Sequence, residues 1–397
     1  MPLRTADIYG FKQDRSELKK DPAFYKRGDA AQILSIGLFL QLKSKAANQE
    51  EHIRIRKLLA PAFSDGALLE QESLLTHHFD LLVSQLKRQI DRPEQGRVDM
   101  MAYYNFVTFD IIGDLVLGES FGALEGGEYH PWIRFNGVDH SRRNVSESIK
   151  LLGLLRLAQN YPAIGVVFAI LQKLMPSFAE KRKLHMKFTK DKVRKRLELK
   201  TDRNDLIAYV LPDKDEKSGL SFGEILGNSR VLLTAGSETT ATNLCGVTWY
   251  LLTQTDILHR VRDEVRTAFK SADEITLRSV STPGRLPYLD ALVQETFRCY
   301  SSLPATLPRI TSQGGAIIDG DYVPGNVSVG VHQWSTYHST NNFALPNDFI
   351  PERWLSNAPQ KFQNDNKEAL QPFHLGPRVC LGKKYNFIFK LDPPNKL

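Results

Sequence analysis

From about residue 50 to 305 apolar side chains recur at three- and four-residue spacing, the period of a helix with one buried face. The pattern is plain in FVTFDIIGDLVLG (106–118), from Ile225 to Gln254, and in PYLDALVQETFRCY (287–300). After Arg309 the texture changes to short alternating runs, AIIDGDYVPGNVSVGV, with Asp319-Gly320 and Pro324-Gly325 where hairpin turns would fall. From Trp334 to Pro377 the chain is loop-rich and punctuated by proline. The pattern predicts a mainly helical protein with small β-sheets, an α+β fold, ending in a long irregular segment of the kind that tends to be functional. The stretch Leu151–Met175 is interrupted by Arg156, Gln159, Asn160, Pro162, Gln172 and Lys173, and reads as two core or channel-lining helices with peripheral membrane contact as a minor alternative.

Composition changes this picture little. The 397 residues are 42% hydrophobic, enough for a large core, and no linker, repeat or charge block marks a boundary. One domain over residues 1–397 is expected. The net charge of +7 includes the run KRKLHMKFTKDKVRKR, whose helical spacing favours a solvated face over a phosphate grip. No nucleic-acid module accompanies it, so no nucleic-acid partner is expected. A basic surface also suits an acidic redox partner or anionic lipid. Cys245, Cys299 and Cys380 are too scattered for a zinc site or a disulfide framework. The N-terminal stretch MPLRTADIYGFKQDRSELKK has no apolar core of a signal peptide, and no run of about 18 apolar residues predicts a membrane span.

Four places carry candidate chemistry. Within the long helix, Ala235-Gly236-Ser237-Glu238-Thr239-Thr240 joins a glycine to hydroxyls that compete for backbone carbonyls, which predicts a bent or loosened ladder there. The alternative is a polar patch on a half-exposed helix. In the next motif Leu289, Leu292, Val293, Thr296 and Tyr300 form one stripe, placing Glu295 and Arg298 together on the other side, where a solvated pair is the plain reading. His52 and Arg56 lie one turn apart, either as a solvated face or as a clamp for a carboxylate. Finally, PFHLGPRVCLG places Cys380 between Arg378 and two glycines. A thiolate is a soft ligand suited to iron. Gly376 and Gly382 let backbone approach a flat cofactor, Arg378 reaches a carboxylate at its rim, and Phe373 covers the thiolate side. A lone cysteine is more often core filler, but the spacing F-x-x-G-x-R-x-C-x-G reverses that reading.

Phe373, Gly376, Arg378, Cys380 and Gly382, together with AGSETT, ETFR at 295–298 and PERW at 351–354, resemble the landmarks of the cytochrome P-450 superfamily, the haem-thiolate monooxygenases. DIYGF, FDIIGDLVLGESFG and NDNKEALQPF are similar to fungal secondary-metabolite members, notably trichothecene (isotrichodermin) hydroxylases. The resemblance covers nearly the whole chain. It implies the P-450 fold, with a helical part over about 50–305 and a sheet, meander and cysteine loop over about 306–384. It also implies haem b, with Cys380 as the axial iron ligand. Glu238 and Thr239 correspond to the acid–alcohol pair that delivers protons, with Thr239 in a helix kink. Arg378, Arg56, His52 and Arg309 correspond to haem-propionate contacts. Glu295, Arg298 and Arg353 correspond to a buried structural triad. NADPH electrons arrive through a separate cytochrome P-450 reductase, and the substrate is an apolar small molecule. A monomer at the cytosolic face of the endoplasmic reticulum is implied, or a cytosolic one for want of an anchor.

The chain departs from the family pattern at both ends. It starts where the region before the second family helix should be, and after Lys384 the sequence YNFIFKLDPPNKL stands where a long proximal helix continues in the family. Asp392-Pro393-Pro394 forbids that continuation. The expectation is a truncated or mispredicted product with an atypical tail over 385–397, which folds poorly or holds haem weakly. Three hypotheses follow: a monooxygenase acting on an apolar natural product, a truncated and inactive haem-binding or vestigial homologue, and a helical binding module in which Cys380 is inert core.

Overall fold

The computed structural model describes residues 2–10, 17–25, 49–90, 97–130, 176–199, 203, 205–210 and 219–390. Its longer helices are α1 (Pro2–Tyr9), α2 (Gln49–Leu59), α3 (Glu72–Ile90), α4 (Met100–Leu117), α5 (Pro176–Glu198), α6 (Phe222–Thr253), α7 (Thr255–Ala268) and α8 (Pro287–Cys299). The strands are short: β1 (Lys19–Lys20), β2 (Arg309–Ile310), β3 (Ala316–Ile318), β4 (Asp321–Val323) and β5 (Ser328–Val329). This is a mostly helical α+β fold, as the periodicity predicts. The stretch read as two helices over 151–175 lies outside the described residues. So does the end of the atypical tail, 391–397, while its residues 385–390 close a run of 3-10 turns that begins at Leu381.

Contacts group the chain into two compact units, and the division falls inside α6, between Ser237 and Glu238. The first unit comprises Met1–Phe24, Phe63–Gly96 and Glu238–Leu397. In it α3 buries Leu75, Phe79, Leu82 and Leu86 along one stripe, and α7 buries Ile257, Val261 and Val265 at four-residue spacing. Helix α8 opens on Pro287, and the Glu264 carboxylate of α7 accepts the amides of Tyr288 (2.7 Å) and Leu289 (2.8 Å), satisfying donors that no helical partner can reach. Strand β2 pairs antiparallel with both β1 and β5, while β3 and β4 form a separate hairpin. The hairpin turns at Asp319 (φ 55°) and Gly320 (φ 87°), as their sequence suggests. Pro324-Gly325 does not make a second hairpin. It leads from β4 to β5, whose partner is β2 and not its neighbour in sequence.

The second unit comprises Tyr25–Ala62 and Arg97–Ser237, with α4 buried on nearly every side. By length and composition alone α4 could cross a membrane, but 72% of its apolar window is buried inside the protein, which accounts for its apolarity. Its buried Asp110 accepts the amides of Phe121, Ala123 and Leu124 at 3.1, 3.2 and 2.8 Å and so fixes the chain that follows α4. The basic α5 does not present only a solvated face. Arg196 is 2% exposed and forms a two-point ion pair with Asp205 at 2.6 and 2.8 Å.

Candidate active site

Both candidate carboxylates on α6 and α8 belong to the first unit, as do Thr239 and the cysteine loop. Helix α6 continues as helix through 235–240, with no break in the motif. Ser237 Oγ donates to the Leu233 carbonyl (2.7 Å) and Thr234 Oγ1 to that of Arg230 (3.1 Å), the hydroxyl-to-carbonyl bonds expected of this stretch. Gly236 is there for packing: a Cβ would lie 2.8 Å from Ile112 Cδ1 of α4. Glu238 follows, and burial pushes its carboxyl up to about 7, so it keeps its proton near neutral pH.

Glu295, Arg298 and Arg353 are brought together with no side-chain exposure at all, which excludes the solvated reading of the pair. Nearly all of α8 is buried, and Tyr300, expected on its inner stripe, is instead 46% exposed. Glu295 accepts two bonds from Arg298 (both 2.8 Å), one from Arg353 Nε (3.1 Å), one from Trp354 Nε1 (2.8 Å) and one from the Ile350 amide (2.8 Å). Burial alone would lower the Arg298 pKa, but the paired Glu295 outweighs it and holds it up. Sequence reasoning missed a fourth member. Asp365 receives Arg353 NH1 at 2.5 Å and the Ala344 amide at 2.7 Å, so two buried guanidiniums meet two buried carboxylates. Phe343 and Phe362 lie under the guanidiniums at 5.3 and 4.6 Å. The sequence places Asp365 in the NDNKEALQPF stretch, but nothing there points to Arg353.

The cysteine loop is held beside this network. Phe373 packs edge-on against Phe297 of α8 at 5.2 Å, and its carbonyl accepts the Cys380 amide at 2.9 Å. Gly376 has φ 74° and a Cβ there would stand 1.9 Å from the Tyr9 carbonyl, so the backbone that approaches it is that of α1. Its left-handed backbone makes a sharp turn that suits a glycine. At Gly382 a Cβ would stand 3.8 Å from Cys380 Sγ, an ordinary contact. Two of the cysteines differ in kind. Burial, reinforced by Glu295, pushes the Cys299 thiol up to about 12, whereas Cys380 is exposed on its loop. Among the described residues no cluster of three or more His, Cys, Asp or Glu is placed to hold a metal.

The candidate cations fall into two sets. Arg378 pairs with Glu17 at 2.9 and 3.2 Å. Arg309 on β2 is 3% exposed, donates to the Leu307 carbonyl (3.2 Å) and lies 5.0 Å from the Tyr9 ring. Lys20, which sequence reasoning missed, stands directly opposite Arg309 across the β1–β2 ladder. Burial, Arg378 and Arg309 lower its ammonium to about 7. His374 is also pushed down, to about 4, by burial and then by Arg309, so its ring is neutral. His52, which is buried, and the half-buried Arg56 sit one turn apart on α2, in the second unit. Within the first unit the Cys380 thiol and the cations Arg378, Arg309 and Lys20 are donors of the kinds that would hold a haem and its two carboxylates.

Comparison with known proteins places these features in a family. The Cytochrome P450 profile matches residues 5–385. The chain is 40% identical over 338 residues to the cytochrome P450 monooxygenase lcsI of Purpureocillium lilacinum, covering 85% of this chain and 62% of that protein. It is 39% identical over 372 residues to the trichothecene C-4 hydroxylase of Trichoderma arundinaceum (88% and 71%). It is 38% identical over 339 residues to the averantin hydroxylase of Dothistroma septosporum (85% and 61%). For the first and third of these the chain spans less than two thirds of the relative's length. With its cysteine loop, its buried Glu295 network and a match running along almost its entire length, this chain belongs to the cytochrome P450 family.

Proposed function

We propose that the chain is a haem-thiolate monooxygenase that inserts one oxygen atom from O2 into an apolar natural product, by hydroxylation or epoxidation, in fungal secondary metabolism. The observation that carries this reading is the exposed Cys380 on a loop fixed by its own amide and by Phe373, within the F-x-x-G-x-R-x-C-x-G spacing. Haem, once bound, supplies the activation of dioxygen with electrons drawn from NADPH through a separate reductase. Cys380 would give its thiolate to the iron, and the bond from its amide to the Phe373 carbonyl ties the cysteine backbone to that residue. Phe373 would cover the sulfur side. Arg378, Arg309, Arg56 and His52 would hold the propionates.

Glu238 carries the proton-handling role. A carboxyl that keeps its proton to about pH 7 is poised to give it up and take it back in each turnover. The neighbouring Thr239 hydroxyl would pass that proton on. Glu295, Arg298 and Arg353 act at a distance, holding α8 to the loops over 337–365 that precede the cysteine loop. Two hydroxylase relatives, named for a trichothecene and for averantin, support an apolar substrate. The same reading takes residues 1–397 as one domain and puts the protein and its reductase at the cytosolic face of the endoplasmic reticulum. The test is turnover. The haem-loaded chain with reductase, NADPH and isotopically labelled O2 should put one labelled oxygen into an apolar polycyclic product, and consumption of NADPH without labelled product would count against it.

A further inference from the structure

Two ends of the chain, far apart in sequence, meet around Lys20. It faces Arg309 directly across an antiparallel ladder, an arrangement of like charges that destabilises a sheet unless something else compensates it. Arg378 comes from the cysteine loop, and its guanidinium is engaged by Glu17, which lies three residues before Lys20 and has a side chain only 7% exposed. The principal charges acting on Lys20 are therefore two guanidiniums and one carboxylate. Burial and those guanidiniums depress the ammonium to about 7, a cost that an arriving anion would relieve. His374 beside them is neutral and adds no charge. Three cations carried in a partly buried place by a strand pair and a loop are an arrangement suited to anionic groups.

We propose that Lys20 acts with Arg309 and Arg378 as a third cation binding the carboxylates of the planar dicarboxylate cofactor, and that Glu17 competes with those carboxylates for Arg378. The proposal rests on the haem reading above. Arg378 is already bonded through two nitrogens to Glu17, so an entering carboxylate either displaces that partner or shares the guanidinium with it. Lys20 provides an ammonium whose charge is restored by the same event. Loading is then a balance between an internal carboxylate and the two that the cofactor brings.

The experiment measures binding and not turnover. The full 397-residue chain, stripped of cofactor, is titrated with iron-free protoporphyrin IX and with its dimethyl ester, following fluorescence quenching. Lys20→Gln is expected to weaken binding of the diacid about tenfold or more while changing the ester less than about twofold, and Lys20→Arg to restore most of the loss. Glu17→Gln is expected to tighten the diacid severalfold, a gain that a misfolded variant cannot produce. Equal weakening of acid and ester in Lys20→Gln would mean a structural role only and overturn the assignment, as would no weakening at all. Equal affinity of the unsubstituted chain for acid and ester, including no binding of either, also overturns it. A Glu17→Gln variant that binds the diacid no more tightly removes the competition. A chain that prefers the diacid but lacks a thiolate spectrum with haem would sink the Cys380 reading while leaving this cradle standing.

Discussion

Glu238 shows how much one side chain can change between motif and molecule. Its place in AGSETT is legible, but its proton is not, because the shift comes from burial that only the packed helix creates. The folded carboxyl titrates near 7, above the ordinary value of 4.5, so the folded state binds the extra proton between those limits. Stability is therefore fullest below the unfolded value and falls as pH rises toward 7. Glu238→Gln should remove up to about 3 kcal/mol of that loss, so that urea midpoints at pH 5 and pH 8 lie closer together than in the parent chain. Unchanged spacing of the midpoints would contradict the burial argument. Gly376 makes a second residue-scale case. Gly376→Ala forces a Cβ to within 1.9 Å of the Tyr9 carbonyl in a left-handed backbone, and should lower the thermal midpoint and loosen the cysteine loop together. An alanine variant as stable as the parent would show that the loop can move off α1.

At the scale of elements, α8 carries the main lesson. The spacing of ETFR puts Glu295 and Arg298 within reach of each other, but a helical wheel cannot say that loops 40 to 70 residues later will close over them, and so it reads the pair as solvated. Tyr337, Pro346 and Asp348 supply carbonyls to Arg298, and Asp365 supplies the second carboxylate to Arg353. None of these has a signal of its own, because each is defined by a contact between distant segments. The same limit hid Lys20 and Glu17, whose partners Arg309 and Arg378 lie near the other end of the chain. The β3–β4 turn was legible since its pairing is local. Breaking a buried charge network by removing one partner typically costs about 3–5 kcal/mol. Asp365→Ala, which strips Arg353 of one buried carboxylate, should cost within that range in urea unfolding, as should Glu295→Ala. A cost under about 1 kcal/mol at Asp365, the level of an exposed pair, would mean that water replaces the carboxylate.

For the whole molecule, the helical and sheet-bearing stretches follow from apolar periodicity, and the family follows from a few spaced landmarks matched along residues 5–385. Stability for a domain of this kind is only about 5–15 kcal/mol, so a network worth several kcal/mol is a large share of what keeps the cysteine loop in place. Everything assigned to function depends on Cys380 giving its sulfur to a haem iron. The most direct measurement is the spectrum of the haem-loaded chain, reduced and exposed to carbon monoxide, beside the same spectrum of Cys380→Ser. The account predicts a strongly red-shifted Soret band in the parent chain that is lost in the serine variant. A band at the ordinary position of histidine-ligated haem in the parent chain, or one unchanged by the substitution, would contradict it.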